Sequence, residues 1–257
     1  MDNRPIGIMD SGVGGLTVAR VLHERYPKEG IVFLGDSLRN PYGERTAEEI
    51  TKFSEAIKSF LLSKNVKMVI IACNTISFNV PPSFTEDRVP VVKMSTDITL
   101  PEDAEKIAVF ATPASIRTHA HKKALEKKYG DRKFIEVPCE GIAAAIEQQK
   151  GEKVISALVE KAVKEYHALG ADAGYWACTH YPLAPEAFSS VLPGIPFIDP
   201  ALPTVEKGMD ILKKKDELSE EEGELHFYFT DGIEHARPLV QSLFGPVIVE
   251  KTNLIGV

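Results

Sequence analysis

Two cysteines stand at matching places in the chain. Val69-Ile70-Ile71-Ala72-Cys73-Asn74-Thr75 and Gly174-Tyr175-Trp176-Ala177-Cys178-Thr179-His180 are both apolar runs that end in Ala-Cys and continue with small polar residues. A single free cysteine is usually just buried. Two at the ends of like strands, each beside hydroxyls or amides, suit a pair of thiols that handle protons or attack a carbon. A helix starting just after each strand is expected to lower the thiol pKa and make it a usable base or nucleophile. Cys139, in Val137-Pro138-Cys139-Glu140, lacks this setting and reads as structural. His180 lies two residues after Cys178, which keeps a cysteine–histidine hydrolase open as a competing chemistry, although nucleophilic catalysis leaves Cys73 without a task. Metal chemistry fits poorly. His119 and His121, two apart on an expected helix, would point from different faces, and CxxC and HExxH patterns do not occur.

The turn Asp10-Ser11-Gly12-Val13-Gly14-Gly15 follows a strand and opens a helix. Glycines there let the backbone approach an anion, and the free N–H groups at a helix start attract one. Asp36, at the end of the next strand, would suit a ribose, but Gly12-Val13-Gly14-Gly15-Leu16-Thr17 lacks the third glycine of a dinucleotide fingerprint. A carboxylate or an amino-acid backbone is the expected ligand, with a tight turn that binds nothing as the plain alternative. The polar loop Asp36-Ser37-Leu38-Arg39-Asn40-Pro41-Tyr42-Gly43 is explained largely by turn residues.

These groups need a scaffold that brings distant strand ends together. Strands are expected at Pro5–Met9, Ile31–Leu34, Lys67–Ala72, Val89–Lys93, Ile107–Phe110, Phe134–Val137, Gly174–Ala177, Pro196–Ile198, Leu225–Phe229 and Pro246–Val249, with helical patterns between most of them. One helix opens at Thr46-Ala47-Glu48-Glu49, a capping-box pattern. Such alternation implies an α/β fold of doubly wound parallel sheets, in which ligands bind beyond the carboxyl ends of the strands. Two similar halves facing each other would place one cysteine on each side of a shared cleft. Lys213-Lys214-Lys215 and the acidic stretch after it read as a solvated helix end and loop.

Composition narrows the field. The chain has 257 residues, 44% of them hydrophobic and 26% charged, too apolar for disorder and long enough for one or two domains. Lys and Arg number 30 against 37 Asp and Glu, a net charge of −7 that argues against nucleic acid as a partner. The run Met68 to Cys73 is far shorter than the ~20 residues that span a bilayer, and the start of the chain carries no export pattern. Three widely spaced cysteines suit a reducing compartment. A cytoplasmic protein without membrane partners is expected.

Four stretches together resemble the glutamate racemase family: Asp10-Ser11-Gly12-Val13-Gly14-Gly15-Leu16-Thr17-Val18, Gly35-Asp36 with Asn40-Pro41-Tyr42-Gly43, Ala72-Cys73-Asn74-Thr75, and Cys178-Thr179-His180-Tyr181-Pro182. They come in family order over nearly the whole chain. The resemblance implies two α/β domains related by pseudo-twofold symmetry, with the site between them: residues 1–96 plus 211–257, and residues 97–210. It implies cofactor-independent interconversion of L- and D-glutamate, supplying D-glutamate for peptidoglycan, in a homodimer that uses neither pyridoxal phosphate nor a metal. Carried over, Cys73 and Cys178 are the acid/base thiols, Cys178 taking the proton of the L-enantiomer and Cys73 that of the D-enantiomer. Asp10 assists Cys73, His180 assists Cys178, and Glu147 is a further carboxylate. Ser11, Pro41, Tyr42, Gly43, Asn74, Thr75, Ser115 and Thr179 hold the substrate. The chain departs from the family pattern at Ser115 (usually threonine), at Ile76 and Phe78, at Ala177, at His119 and His121, which flank a region that usually carries a small residue and a tyrosine, and over Lys93–Ile98. A racemase of the same superfamily acting on aspartate or another amino acid is the alternative, and a non-catalytic amino-acid binder a more distant one.

Overall fold

The computed structural model describes residues 1–254. Ten strands are present among them: β1 Ile6–Asp10, β2 Ile31–Gly35, β3 Met68–Ile71, β4 Val91–Lys93, β5 Lys106–Ala111, β6 Lys133–Pro138, β7 Ala173–Ala177, β8 Phe197–Ile198, β9 Leu225–Phe229 and β10 Ile248–Lys251. The helices are α1 Leu16–Arg25, α2 Ala47–Ser63, α3 Asn74–Asn79, α4 Pro113–Thr118, α5 Ala120–Lys128, α6 Ile142–Glu147, α7 Glu152–Glu165, α8 Pro185–Ser189, α9 Ala201–Lys214 and α10 Ile233–Phe244. Thr46 accepts from the Glu49 backbone N–H at 3.2 Å, and Glu49 accepts from the Thr46 N–H at 3.0 Å, the reciprocal cap expected at the start of α2.

All strand pairs are parallel. The six-stranded sheet runs β10-β9-β2-β1-β3-β4 and the four-stranded sheet β6-β5-β7-β8. The second sheet thus repeats the order β2-β1-β3-β4 of the first, with β9 and β10 added beyond β2. In each half the strand that leads to Ala-Cys lies next to the opening strand: β3 beside β1, and β7 beside β5.

Parallel strands must be covered on both faces, and the alternating side chains show how. Ile6, Ile8, Ile31 and Phe33 face the layer of α1, α9 and α10, whereas Met9, Val32, Leu34, Val69 and Ile71 face α2 and α3. In the second sheet Ala108, Phe110 and Trp176 pack on α6, α7 and α8, while Val109 and Tyr175 pack on the opposite side with Leu125 of α5.

The division expected at residue 210 falls inside α9. Ala201, Val205, Met209 and Leu212 of that helix are all buried in the core of the first sheet, so the chain has already returned to it at Ala201. Residues 255–257 of the expected final segment lie outside the described residues. A second difference concerns the two histidines. His119 has φ 53° and separates α4 from α5, so no single helix carries both. Its ring is exposed and pairs with Glu136 at 2.7 Å, whereas His121 is buried.

Candidate active site

The carboxyl ends of β1, β3, β5 and β7 meet between the two sheets, where the strand orders reverse. A cavity of about 30 Å³ lies there, lined by both Cys73 and Cys178, with Ser11, Thr75, Thr112 and His180 among its other walls. Cys73 caps the start of α3 at the end of β3, and Cys178 follows β7. The halves touch around this space: Thr75 and Thr112 hydroxyls are 2.8 Å apart, Thr179 Oγ1 donates to Asp10 Oδ2 at 3.0 Å, and Arg117 donates to the Arg45 carbonyl at 3.0 Å. A space of this size holds about one water. A larger hollow of about 640 Å³, bordered by Glu147, His235 and Leu239, touches neither thiol.

Each thiol has its own proton partners. On one wall the Ser11 hydroxyl stands 3.7 Å from Cys73 Sγ and donates to Asp10 Oδ1 at 3.4 Å. Ser11 therefore links Cys73 to Asp10. On the other wall Cys178 Sγ is 3.9 Å from His180 Nδ1, and His180 Nε2 is 2.7 Å from Glu147 Oε2. Burial raises the Asp10 pKa to about 7, offset in part by the His180 charge and by hydrogen bonds from Gly12 and Thr179. A carboxyl poised there can give or take a proton at neutral pH. Burial alone would lower the His180 pKa, but its hydrogen bonds to Cys178 and Glu147 hold it well above the ordinary imidazole value. Burial likewise opposes ionisation of Glu147, and His180 with the Val13 and Ser37 donors overcomes it and keeps the carboxyl below its usual range.

The expectation of a helix-lowered thiol does not hold at Cys73. Burial, reinforced by the Asp10 charge, pushes this thiol well up, against weaker help from the Ile76 backbone N–H and Ser11. Cys73 is held as the protonated acid.

The glycine turn also works differently from the sequence reading. Its N–H groups are already taken by carboxylates of the chain itself: Gly12 N–H donates to Asp10 Oδ1 at 2.8 Å and Val13 N–H to Glu147 Oε2 at 3.0 Å. Gly12 and Gly14 are required by close approach of the opposite half. A Cβ on Gly14 would overlap the His180 ring and lie 2.7 Å from Thr179 Oγ1, and one on Gly12 would overlap Asn40 and Glu147. Gly14→Ala is therefore expected to displace His180 and lower kcat by roughly 10²-fold, the scale of a 1 Å misplacement. A normal far-UV spectrum and melting midpoint alongside that loss would confirm a local effect, and unchanged kcat would refute it.

The remaining expected site residues fall in two layers. Pro41, Tyr42, Gly43, Thr75 and Thr179 line the cavity with Ser11 and the thiols. Tyr42 OH donates to buried Asp36, which also accepts from Arg39 at 2.6 Å and from Thr230 at 2.8 Å, so this carboxylate fixes the loop that carries Tyr42 and Gly43. Ser115 lies behind the lining, where its Oγ accepts from Thr112 at 3.1 Å, and Asn74, between the lining residues Cys73 and Thr75, meets His121 through its Oδ1. Thr112, Asn40 and Cys139 line the cavity without having been expected there as site residues. Thr112 sits at the end of β5 as Ser11 sits near the end of β1, so the strand repeat itself is the signal that could have found it.

Among the described residues no helix is long and apolar enough to cross a membrane. The Asp/Glu/hydantoin racemase family model matches residues 6–208. A glutamate racemase of Lactobacillus helveticus is 34% identical over 239 residues, covering 90% of each chain. The chain belongs to the Asp/Glu/hydantoin racemase family. Within it, the fold is close to that of solved glutamate racemases. The Francisella tularensis protein, solved in complex with D-glutamate, matches with TM-score 0.87 and 30% identity over 99% of both chains. A Bacillus anthracis isoform matches with TM-score 0.87 and 26% identity over 99% of both.

Proposed function

We propose that the chain interconverts L- and D-glutamate without a cofactor, by proton transfer between two thiols and the substrate Cα. The observation that carries this reading is one cavity lined by two cysteines, each backed by its own proton relay. Inverting a carbon next to a carboxylate requires removing a weakly acidic proton from one face and delivering another to the opposite face. Cys178 takes the Cα proton of L-glutamate, with its own thiol proton passed to His180, whose other nitrogen rests on Glu147. Cys73 then delivers its proton from the other wall and is recharged through Ser11 and Asp10. The reverse direction exchanges the roles. The Ser11, Thr75, Thr112 and Thr179 hydroxyls line the water-poor space around the developing carbanion, where fixed dipoles act most strongly.

Glutamate is the substrate supported by the relatives, and the Pro41-Tyr42-Gly43 loop is one wall of the cavity that takes it. The two halves divide as residues 1–96 with 201–254, and 97–200. The product suits a cytoplasmic supply of D-glutamate for peptidoglycan, made by a homodimer. The test is purified protein with L-glutamate and no added cofactor, followed by circular dichroism of the amino acid. Decay of the signal to zero supports the reading. An unchanged signal, or turnover of aspartate well above glutamate in a chiral panel, overturns it. The Cys178–His180–Glu147 geometry also fits a nucleophilic cysteine, and a covalent mass adduct with ester or amide substrates would reveal that activity.

A further inference from the structure

His121 does nothing in the proton relays, yet it is buried at 2% exposure and crosses from the second half to the first. Its Nε2 lies 3.0 Å from Asn74 Oδ1. Asn74 is itself 2% exposed, sits between Cys73 and Thr75, and its Nδ2 is buried without a hydrogen-bond partner. Phe78 holds the imidazole with ring centroids 4.2 Å apart, and Tyr175 flanks it at 5.8 Å. Burial drives the His121 pKa down to about 3, so the ring is neutral and carries one proton. With the Asn74 oxygen facing the ring, an amide oxygen only accepts, so this pairing calls for the proton on Nε2.

We propose that His121 is a positioning residue: its Nε2–H fixes the Asn74 amide with oxygen toward α5, leaving Nδ2 as the donor for a carboxylate oxygen of the bound amino acid. An unpartnered buried amide N–H is costly to leave unmade, and a substrate oxygen satisfies it. The assignment rests on the proposed racemase function, and it gives an interface role to a buried side chain that the proton relays do not use.

Three variants and one spectrum test it. His121→Phe keeps an aromatic ring and removes the donor, and His121→Gln restores a donor. His121→Phe is expected to raise KM for both glutamate enantiomers about tenfold, the scale of one hydrogen bond, with kcat within about twofold. His121→Gln should recover most of this. In an Asn74→Ala background, His121→Phe should add nothing, because its effect passes through that amide. A KM unchanged by His121→Phe, equal losses in Phe and Gln, or a full tenfold loss on top of Asn74→Ala would each overturn the proposal. Nitrogen-15 NMR of the histidines in the wild-type protein reads the tautomer independently of turnover. A neutral Nε2–H ring whose signal moves on Asn74→Ala supports the proposal, and an Nδ1–H ring overturns it. If the wild-type protein does not racemise glutamate, the functional reading fails while the tautomer still decides the role of His121.

Discussion

Replacing Cys73 or Cys178 with alanine is expected to lower inversion of glutamate by about 10²–10⁴-fold, the contribution of one acid/base group. Cys139→Ala should leave inversion largely intact: its thiol is buried against the Val137 carbonyl at 3.3 Å and belongs to neither relay. The two single variants should differ in a way that stability cannot explain. With Cys73 removed, Cys178 still reaches the Cα proton of L-glutamate, so deuterium from solvent should enter L-glutamate and not D-glutamate. With Cys178 removed, the preference reverses. In the wild-type protein, early turnover in deuterated water should label the product at Cα and leave the remaining starting enantiomer largely unlabelled. Proton NMR of the separated enantiomers measures all of this. Were both cysteines only core residues, each alanine would lower the melting midpoint and leave turnover per folded molecule near normal, and that outcome would defeat the two-thiol mechanism.

Asp10→Asn is expected to trade activity for stability, with a defined pH dependence. Asp10 is fully buried with a pKa near 7 against an ordinary 3.8. Below about pH 4 both folded and unfolded chains carry the proton, and the group does not penalise folding. Between about pH 4 and 7 the unfolded chain releases the proton while the folded one keeps it, so stability falls as pH rises. Above 7 both are ionised and the loss is complete, on the order of 4 kcal/mol at most. Asparagine cannot ionise. It keeps an oxygen for the Gly12 N–H, while the acceptor used by Thr179 is replaced by a donor, which offsets part of the gain. Denaturant melts should therefore show a variant near wild type at pH 4 and clearly more stable at pH 8. The same variant should lose kcat most in the direction that begins with Cys73 as base. The equilibrium ratio of free enantiomers is one, so kcat/KM must stay equal in the two directions, and the asymmetry appears in kcat and KM separately. His180→Asn should show the opposite asymmetry. An Asp10→Asn protein with wild-type stability at both pH values would show that the carboxyl is not held near 7 in the folded protein.

Local sequence carried much of this protein's organisation. Short apolar runs with intervening helical patterns are enough to imply parallel sheets, because strands covered on both faces read as near-continuous apolar stretches. The Ala72-Cys73 and Ala177-Cys178 echoes located both thiols, since equal positions in repeated β-α units lie at equal places in the two sheets. The Thr46 cap and the solvated end of α9 depend on neighbours within a few residues, and local pattern determined them as well.

What tertiary structure alone decided are contacts between residues far apart in the chain. Glu147 fills the anion site of the Asp10–Gly15 turn because α6 of one half is brought against β1 of the other. Gly14 is glycine because His180 occupies the space a Cβ would need. His121 is inside, not on a polar helix face, because the αL residue His119 ends α4 and redirects α5 toward Asn74. The return of the chain at Ala201 was hidden because α9 has the same amphipathic pattern whichever sheet it covers. Protonation was hidden for a related reason. A thiol at a helix start is lowered when solvent and cations surround it, but Cys73 is shut away beside the Asp10 carboxyl, and burial outweighs the helix. Sequence sets which groups can titrate and pair, whereas the dielectric and the partners that fix their charge exist only once the two halves close on each other.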